Sequence, residues 1–267
     1  MKTIGLLAGV GRLPVEFARA ASGMGITVIA VGVVPGVDPD LGPAAAKFHS
    51  VSVGELDRVI AVLKAEGVRE VTMLGKVTKE LMFSGDLAID ERMRKLLAGL
   101  ADRSDDAVML AFVRELAAEG IGVADQTALF RALMPAPGVL SRRQPTAAEQ
   151  ADMDFGFRMA KEIGALDIGQ TVVVKNRAVL AVEAIEGTDA CIRRGGALGR
   201  GGAVVAKVAK PNQDVRFDVP AVGVGTITSM IEGGAGALVI EAGKTLLVER
   251  DKALALADAN GIAVVAR

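Results

Sequence analysis

The chain has 267 residues, 51% of them apolar, and 31 Lys and Arg against 32 Asp and Glu give a net charge of −1. That length supports one large or two ordinary domains with packed cores, and a near-neutral chain without Trp or Tyr is poorly equipped to bind nucleic acid. Cys191 is the only cysteine and His49 the only histidine, which excludes an internal disulfide and leaves no ligand set for zinc.

The first half alternates β-rich runs with helical patterns. Thr3 to Ala8 reads as a buried strand, and a glycine turn then leads to a helix from about Leu13 to Met24. Thr27 to Val33 is a second strand because Val28-Ile29-Ala30-Val31 is uninterrupted by charge. His49 reads as an ordinary residue ahead of a strand, with no catalytic motif around it. Leu56 to Glu66 is a helix stopped by Gly67, and Glu70 to Leu74 is a short strand. Helices near Asp90 to Leu100 and Asp105 to Glu119 precede a last strand, Gly120 to Val123. Strands alternating with helices predict a parallel sheet covered on both faces, and right-handed connections make a Rossmann-like layer the natural topology.

Between Met134 and Pro145 the pattern breaks at Pro135, Pro137, Gly138 and Pro145. Proline lacks a backbone donor and restricts its neighbour, so the stretch is expected to continue neither element. The expected division is a Rossmann-like domain over 1–133, a Pro-rich linker over 134–146 and a mixed α+β domain over 147–267. In that second domain a helix from about Ala147 to Ile163 leads to Thr171 to Val174 and Val179 to Glu183, a hairpin around Lys175-Asn176-Arg177. Further β runs are Ala203 to Val208, Leu238 to Ile240 and Thr245 to Val248, and the chain closes with a helix near Asp251 to Asn260 and the strand Ile262 to Val265. No secretory signal opens the chain and no run approaches the roughly 18 apolar residues of a membrane span, so a cytoplasmic protein is expected.

Two places suggest chemistry. Gly9-Val10-Gly11-Arg12-Leu13-Pro14 follows a strand and opens a helix, where glycines and free N–H groups suit a phosphate. A dinucleotide fingerprint would need a third glycine where Pro14 stands and an acid closing the second strand, which ends in Gly32-Val33-Val34-Pro35. Nicotinamide cofactors are therefore disfavoured, and the bland reading is a turn that packs strand on helix. The second place is denser. Glu183 ends an apolar strand, where a carboxylate needs a partner. Glu186-Gly187-Thr188-Asp189 follows, with Thr188 or Asp189 expected to cap a helix carrying Arg193 and Arg194. Lys207, Lys210, Gln213, Asp214, Arg216 and Asp218 come next. Carboxylates could hold an oxygen-liganded divalent ion, Mg²⁺ or Mn²⁺, against a diphosphate whose oxygens the cations neutralise. Capping and a solvated charged loop are the bland alternatives.

The segments Asp167-Ile168-Gly169-Gln170, Glu183 to Ala190 and Lys210 to Pro220 resemble the metal-dependent UDP-2,3-diacylglucosamine pyrophosphatases of lipid A synthesis, the type distinct from calcineurin-like phosphoesterases. Gly9 to Pro14 and Gly75-Lys76-Val77 fit as well, so the resemblance runs from about Ile4 to Val265. It implies Mg²⁺-dependent hydrolysis of UDP-2,3-diacylglucosamine to UMP and 2,3-diacylglucosamine 1-phosphate (lipid X). It makes Glu183, Asp189, Asp214 and Asp218 candidates for catalysis, with Asp189 and Asp214 the candidate metal ligands. Gly9, Val10, Gly11, Arg12, Lys76, Thr188, Arg194, Lys207, Lys210 and Gln213 become candidate substrate contacts. A substrate with two acyl chains resides in a bilayer, so peripheral contact with the inner membrane is expected, although no basic amphipathic helix announces it. Pairing of two copies through an exposed element of the second half is a further expectation.

One position departs from the family pattern. An Asp is expected immediately before Thr226-Ile227, and this chain has Gly225. Gly225 implies either a slow or inactivated variant, or a turn residue before a helix capped by Thr226. A non-catalytic nucleotide-sugar binding protein is therefore the rival reading. For the acyl chains, Leu81-Met82-Phe83 and the faces bearing Met93, Leu96, Leu97, Met109, Leu110, Phe112 and Val113 could line a groove, though apolar residues at helical spacing usually form core.

Overall fold

A computed structural model describes residues 2–77, 88–100, 105–124, 130–131, 134–211 and 219–267. These fall into two compact units, one ending at residue 124 and the other starting at Phe130.

The first unit is a parallel sheet with helices. Its strands are β1 (Thr3–Ala8), β2 (Thr27–Gly32), β3 (Lys47–Ser50), β4 (Glu70–Leu74) and β5 (Gly122–Val123). They lie in the order β3-β2-β1-β4-β5 with every pairing parallel. Helices α1 (Leu13–Gly23), α2 (Leu41–Ala44), α3 (Leu56–Ala65), α4 (Glu91–Ala98) and α5 (Asp105–Ala118) connect them. β1, β2 and β4 are apolar runs because the sheet is covered, and burial of such residues on both faces drives the layer together. Met93, Leu96 and Phe112 are buried in one core cluster, with Leu97, Met109 and Val113 packed against it, so these helix faces are core. Leu110 is partly exposed, and Leu81, Met82 and Phe83 lie outside the described residues. His49 is not ahead of a strand but within β3, where it hydrogen-bonds Glu66 at 3.1 Å. The run Lys47-Phe48-His49-Ser50 is an exposed edge, and lacks the apolar continuity that marks a covered strand.

The second unit has a mixed sheet in the order β6-β13-β11-β9-β7-β8. β6 is Gly138–Val139, β7 Thr171–Lys175, β8 Ala178–Val182, β9 Ala203–Lys207, β11 Ala235–Ile240 and β13 Ala263–Ala266. A separate two-stranded parallel pair joins β10 (Ala221–Val222) to β12 (Leu246–Leu247). β9, β11 and β13 are parallel, while β6 and the β7–β8 hairpin run antiparallel at the edges. The helices are α6 (Ala147–Ala165), α7 (Thr188–Gly199), α8 (Val224–Gly233) and α9 (Arg250–Ala259). Two apolar clusters flank this sheet, one with Ile192, Ile227, Leu238 and Val264, the other with Met153, Val172, Val204 and Val239. Among the described residues no helix is long and apolar enough to cross a membrane.

Three local expectations change. Gly138 and Val139, expected in a stretch that continues neither element, form β6 on the edge of the sheet, where the neighbouring prolines cost no ladder bond. Gly187, not Thr188 or Asp189, is the N-cap of α7, and no side chain caps it. Thr226 does not cap α8 either, because the helix starts at Val224 behind Gly223 and both Gly225 and Thr226 lie inside it. In the left-handed region Gly187 has no Cβ to clash, which explains why it precedes the helix.

Side-chain contacts lock the amino-terminal part of α6. Thr146 and Glu149 form a reciprocal capping box. Arg143 grips both Glu149 oxygens at 2.9 and 2.7 Å and donates to the carbonyls of Gly236 and Gly261, each at 2.6 Å. Asp152, buried on the same helix, accepts from the N–H of Asn176 at 2.9 Å and of Arg177 at 2.6 Å. Those two residues have φ of 52° and 57°, as a tight hairpin turn requires, and their amides would otherwise go unmatched at a buried carboxylate. Asp152→Ala should therefore destabilise the chain by about 1–3 kcal/mol, read as a lower denaturation midpoint. Asp152→Asn, which keeps one acceptor oxygen, should fall between the two.

Candidate functional site

The mixed sheet brings its polar residues to one edge. Thr171 opens β7 opposite Lys207, which closes β9, and Ile240 of β11 pairs with the same Lys207. Val182, the last residue of β8, lies across from Val172, so Glu183 emerges at that edge too. Glu241 follows Ile240 there. The carboxyl ends of parallel strands are where open α/β sheets place ligands.

Four buried polar side chains form the centre. The Thr188 hydroxyl donates to Glu183 Oε1 at 2.8 Å, and the Gln170 amide N–H donates to Glu183 Oε2 at 3.3 Å. Lys207 Nζ donates to Thr188 Oγ1 at 3.1 Å and to the Ala221 carbonyl at 2.9 Å. The Thr171 hydroxyl lies 3.5 Å from the same Thr188 oxygen. Glu183, Thr188 and Lys207 are each below a tenth exposed. Glycine at 169 is what lets Glu183 sit there, since a Cβ at that position would lie 2.8 Å from the Glu183 carbonyl carbon. Cys191 lies behind the cluster, and its thiol is pushed up to about 12 by burial and by Glu183, so it is no nucleophile.

Around this centre the charges are already spoken for. Asp189 is half-buried in the first turn of α7, where its charge suits the helix dipole. Arg193 pairs with Glu232 at 2.5 Å. Arg194 pairs with Glu186 and also donates to the Val182 carbonyl at 2.9 Å. Lys210 bonds Asp167 at 2.6 Å. Gln213, Asp214 and Asp218, with Arg216, lie outside the described residues.

A second, partly buried pair fixes the exit of β9. Lys161 of α6 reaches Glu241 Oε2 at 2.6 Å and the Ala209 carbonyl at 2.9 Å, while the Ala209 N–H donates to that oxygen at 3.0 Å. Burial alone would raise the Glu241 carboxyl, but the bonds from Lys161, Lys244 and Ala209 outweigh it and hold the group below the usual glutamate range. Neither Glu241 nor Lys161 figures among the candidates read from sequence. The signal existed: Glu241 ends Leu238-Val239-Ile240 as Glu183 ends Val179 to Val182.

In the first unit the two expected N-terminal segments do meet. The Gly9 N–H donates to Leu74 O at 2.8 Å, and Val10 and Lys76 exchange backbone bonds of 2.9 and 2.8 Å. Gly9 and Gly75 touch backbone to backbone, since a Cβ on Gly75 would lie 2.7 Å from the Gly9 carbonyl carbon. The amides of Gly9 and Val10 are thus committed to the protein. Arg12, the N-cap of α1, is gripped by Asp38 at 3.0 Å and Asp40 at 2.8 Å. The Asp38 carboxyl is held below its ordinary range by the Asp40 N–H and then by Arg12. The second strand ends without an acid, yet acids do return to its end from the following loop, and Arg12 occupies them.

Among the described residues no three carboxylates or histidines gather into a cation site. Glu183 is satisfied by Thr188 and Gln170, and of the two candidate metal ligands Asp189 stands in the first turn of α7 while Asp214 lies outside the described residues.

Fold and site together define an α/β protein of two sheet units, the second carrying a buried acid–hydroxyl–amine cluster at its strand ends. The LpxI N-terminal domain family matches residues 3–133 and the LpxI C-terminal domain family residues 136–265. The chain is 37% identical over 278 residues to a Caulobacter vibrioides protein named UDP-2,3-diacylglucosamine pyrophosphatase LpxI, covering 99% of this chain and 97% of that one. The chain belongs to the LpxI family. Likeness to solved structures is slight. Glycinamide-RNase-transformylase T from Mycobacterium tuberculosis has 16% identity and a TM-score of 0.28, over 52% of this chain and 38% of that one. N5-carboxyaminoimidazole ribonucleotide synthetase from Thermotoga maritima has 17% identity and a TM-score of 0.25, over 68% and 41%. Scores this low carry no argument.

A carboxylate held below its ordinary value stabilises the fold above that value and loses the contribution as pH falls through the depressed one. For Glu241 the loss should come below the ordinary 4.5. Glu241→Gln should therefore flatten the fall of stability with pH in that acid range, measured by urea midpoints from neutral pH downward. An unchanged slope would remove Glu241 from the acid limb.

Proposed function

We propose that this chain hydrolyses the diphosphate of UDP-2,3-diacylglucosamine, releasing UMP and 2,3-diacylglucosamine 1-phosphate. The end-to-end similarity to a relative carrying that activity in its name carries the reading. The polar cluster supports it, because the segment Glu183 to Ala190 that suggested the family holds two of the cluster's members, Glu183 and Thr188.

In this reading water adds to one phosphorus of the diphosphate, the bond to the bridging oxygen breaks, and that oxygen leaves with the other half. The proton lost by water goes to a carboxylate, for which half-buried Asp189, next in the chain to Thr188, is the described candidate. Arg194 and Lys210 are the cations to exchange their carboxylate partners for phosphate oxygens on binding. The wholly parallel order β3-β2-β1-β4-β5 supports a Rossmann-like reading of the first unit. Its strand order reverses between β1 and β4, where the Gly9 and Gly75 loops meet, and we assign the ligand-facing edge of that unit to this crevice. A requirement for Mg²⁺ or Mn²⁺ is proposed from the family resemblance alone.

Gly225 favours one rival, a nucleotide-sugar binding protein that turns over slowly or not at all. Gly225 is exposed in the first turn of α8, and a Cβ there would meet nothing within 4 Å. An aspartate would fit without repacking and would suit the helix amino end. UMP release from UDP-2,3-diacylglucosamine with Mg²⁺, compared between the chain and Gly225→Asp, decides between the readings. The proposal expects the variant to gain about 10²–10⁴-fold, the usual scale of a positioned acid or base, and EDTA to abolish the gain. Tight binding with no turnover in either protein would establish the rival, and full activity in chelator would remove the metal.

A further inference from the structure

We infer that Lys207 is a positioning residue that acts through Thr188, and not a phosphate contact. The inference rests on the hydrolase reading above. Lys207 is buried at the end of β9, with 7% of its surface exposed. Its ammonium has three protons, and two are directed inward, at 3.1 Å to Thr188 Oγ1 and at 2.9 Å to the Ala221 carbonyl. A cation meant for a mobile diphosphate is expected to face solvent, as the partly exposed Arg194 does.

The two acceptors belong to different elements. Thr188 is the first residue of α7, whose side-chain N-cap is missing, so the Lys207 and Glu183 bonds hold the start of that helix where Gly187 leaves it uncapped. Ala221 opens β10, which leads through Gly223 directly into α8 and position 225. One ammonium therefore ties the helix start bearing Thr188 and Asp189 to the strand that presents residue 225. It also fixes the direction of the Thr188 hydroxyl. With Lys207 donating to its oxygen, the single Thr188 proton is left for Glu183. Removal of Lys207 takes away the donor to the Thr188 oxygen and so frees that hydroxyl to rotate away from Glu183.

The test uses the full chain in whichever background turns over, Gly225 or Gly225→Asp, and compares K207M, K207R, T188V and K207M/T188V by UMP release. If Lys207 acts through Thr188, K207M lowers kcat about 10–100-fold with KM within about threefold, and the double variant falls no further than the worse single one. K207R, which keeps the charge and the donors, recovers part of the loss. A double variant whose losses multiply, or a K207M variant with raised KM and unchanged kcat, overturns the inference and makes Lys207 a direct contact. If neither background releases UMP, the hydrolase reading fails on its own. Amide exchange over residues 221–227 then decides the strut: faster exchange in K207M supports it and unchanged exchange overturns it.

Discussion

A carboxylate at the end of an apolar strand has to be satisfied where it stands, because burying it alone costs several kcal/mol. Glu183 is that carboxylate, and the second unit is arranged around its needs. Gly169 gives way so that the Gln170 amide can reach it, α7 starts where the Thr188 hydroxyl can donate to it, and β9 ends on the lysine that completes the chain of bonds. Each contact comes from a different element, so the cluster also serves as a joint. It holds the open edge of the sheet together without an apolar plug, and leaves polar groups at the position where a ligand would meet the strand ends.

The same edge carries a second acid solved in the same way. Glu241 closes β11, and Lys161 from α6 reaches across to it and to the Ala209 carbonyl. The consequence is mechanical. The stretch after β9 is held from both sides, by Thr188 through Lys207 and by α6 through Lys161 on the Ala209 carbonyl and Gly164 against Lys210. In the first unit the corresponding economy is made with backbone: Gly9 and Gly75 approach so closely that the loops after β1 and β4 bond each other. The Gly9 and Val10 amides are thereby bonded to Leu74 and Lys76.

Much of this was legible in the sequence, for reasons that differ by residue. Thr3–Ala8 and Glu70–Leu74 stand out because covered parallel strands are continuous in apolar residues. Glu183 stands out because a charge closes such a run, and Glu241 obeys the same rule. β3 is hidden because an exposed edge tolerates Lys-Phe-His-Ser, and β6 because its pairing with β13 bridges more than a hundred residues of chain. The caps of α7 and α8 misled for a single reason. Thr188 and Thr226 are cap-forming types, but glycines precede both helices and the threonine side chains turn into the buried interior. Clasps such as Arg143 with Gly236, or Lys161 with Glu241, join residues too far apart for any local pattern to show.

If the Thr188 cluster faces the lipid sugar phosphate, binding of that product alone should reach it, without any turnover. The chain labelled at threonine methyl groups would be titrated with 2,3-diacylglucosamine 1-phosphate and followed by carbon–proton correlation spectra. Saturable shifts of the Thr188 and Thr171 methyls are expected, the Thr188 signal being assigned by its disappearance in Thr188→Val. Saturable binding that moves other threonines and leaves these two unchanged would contradict it.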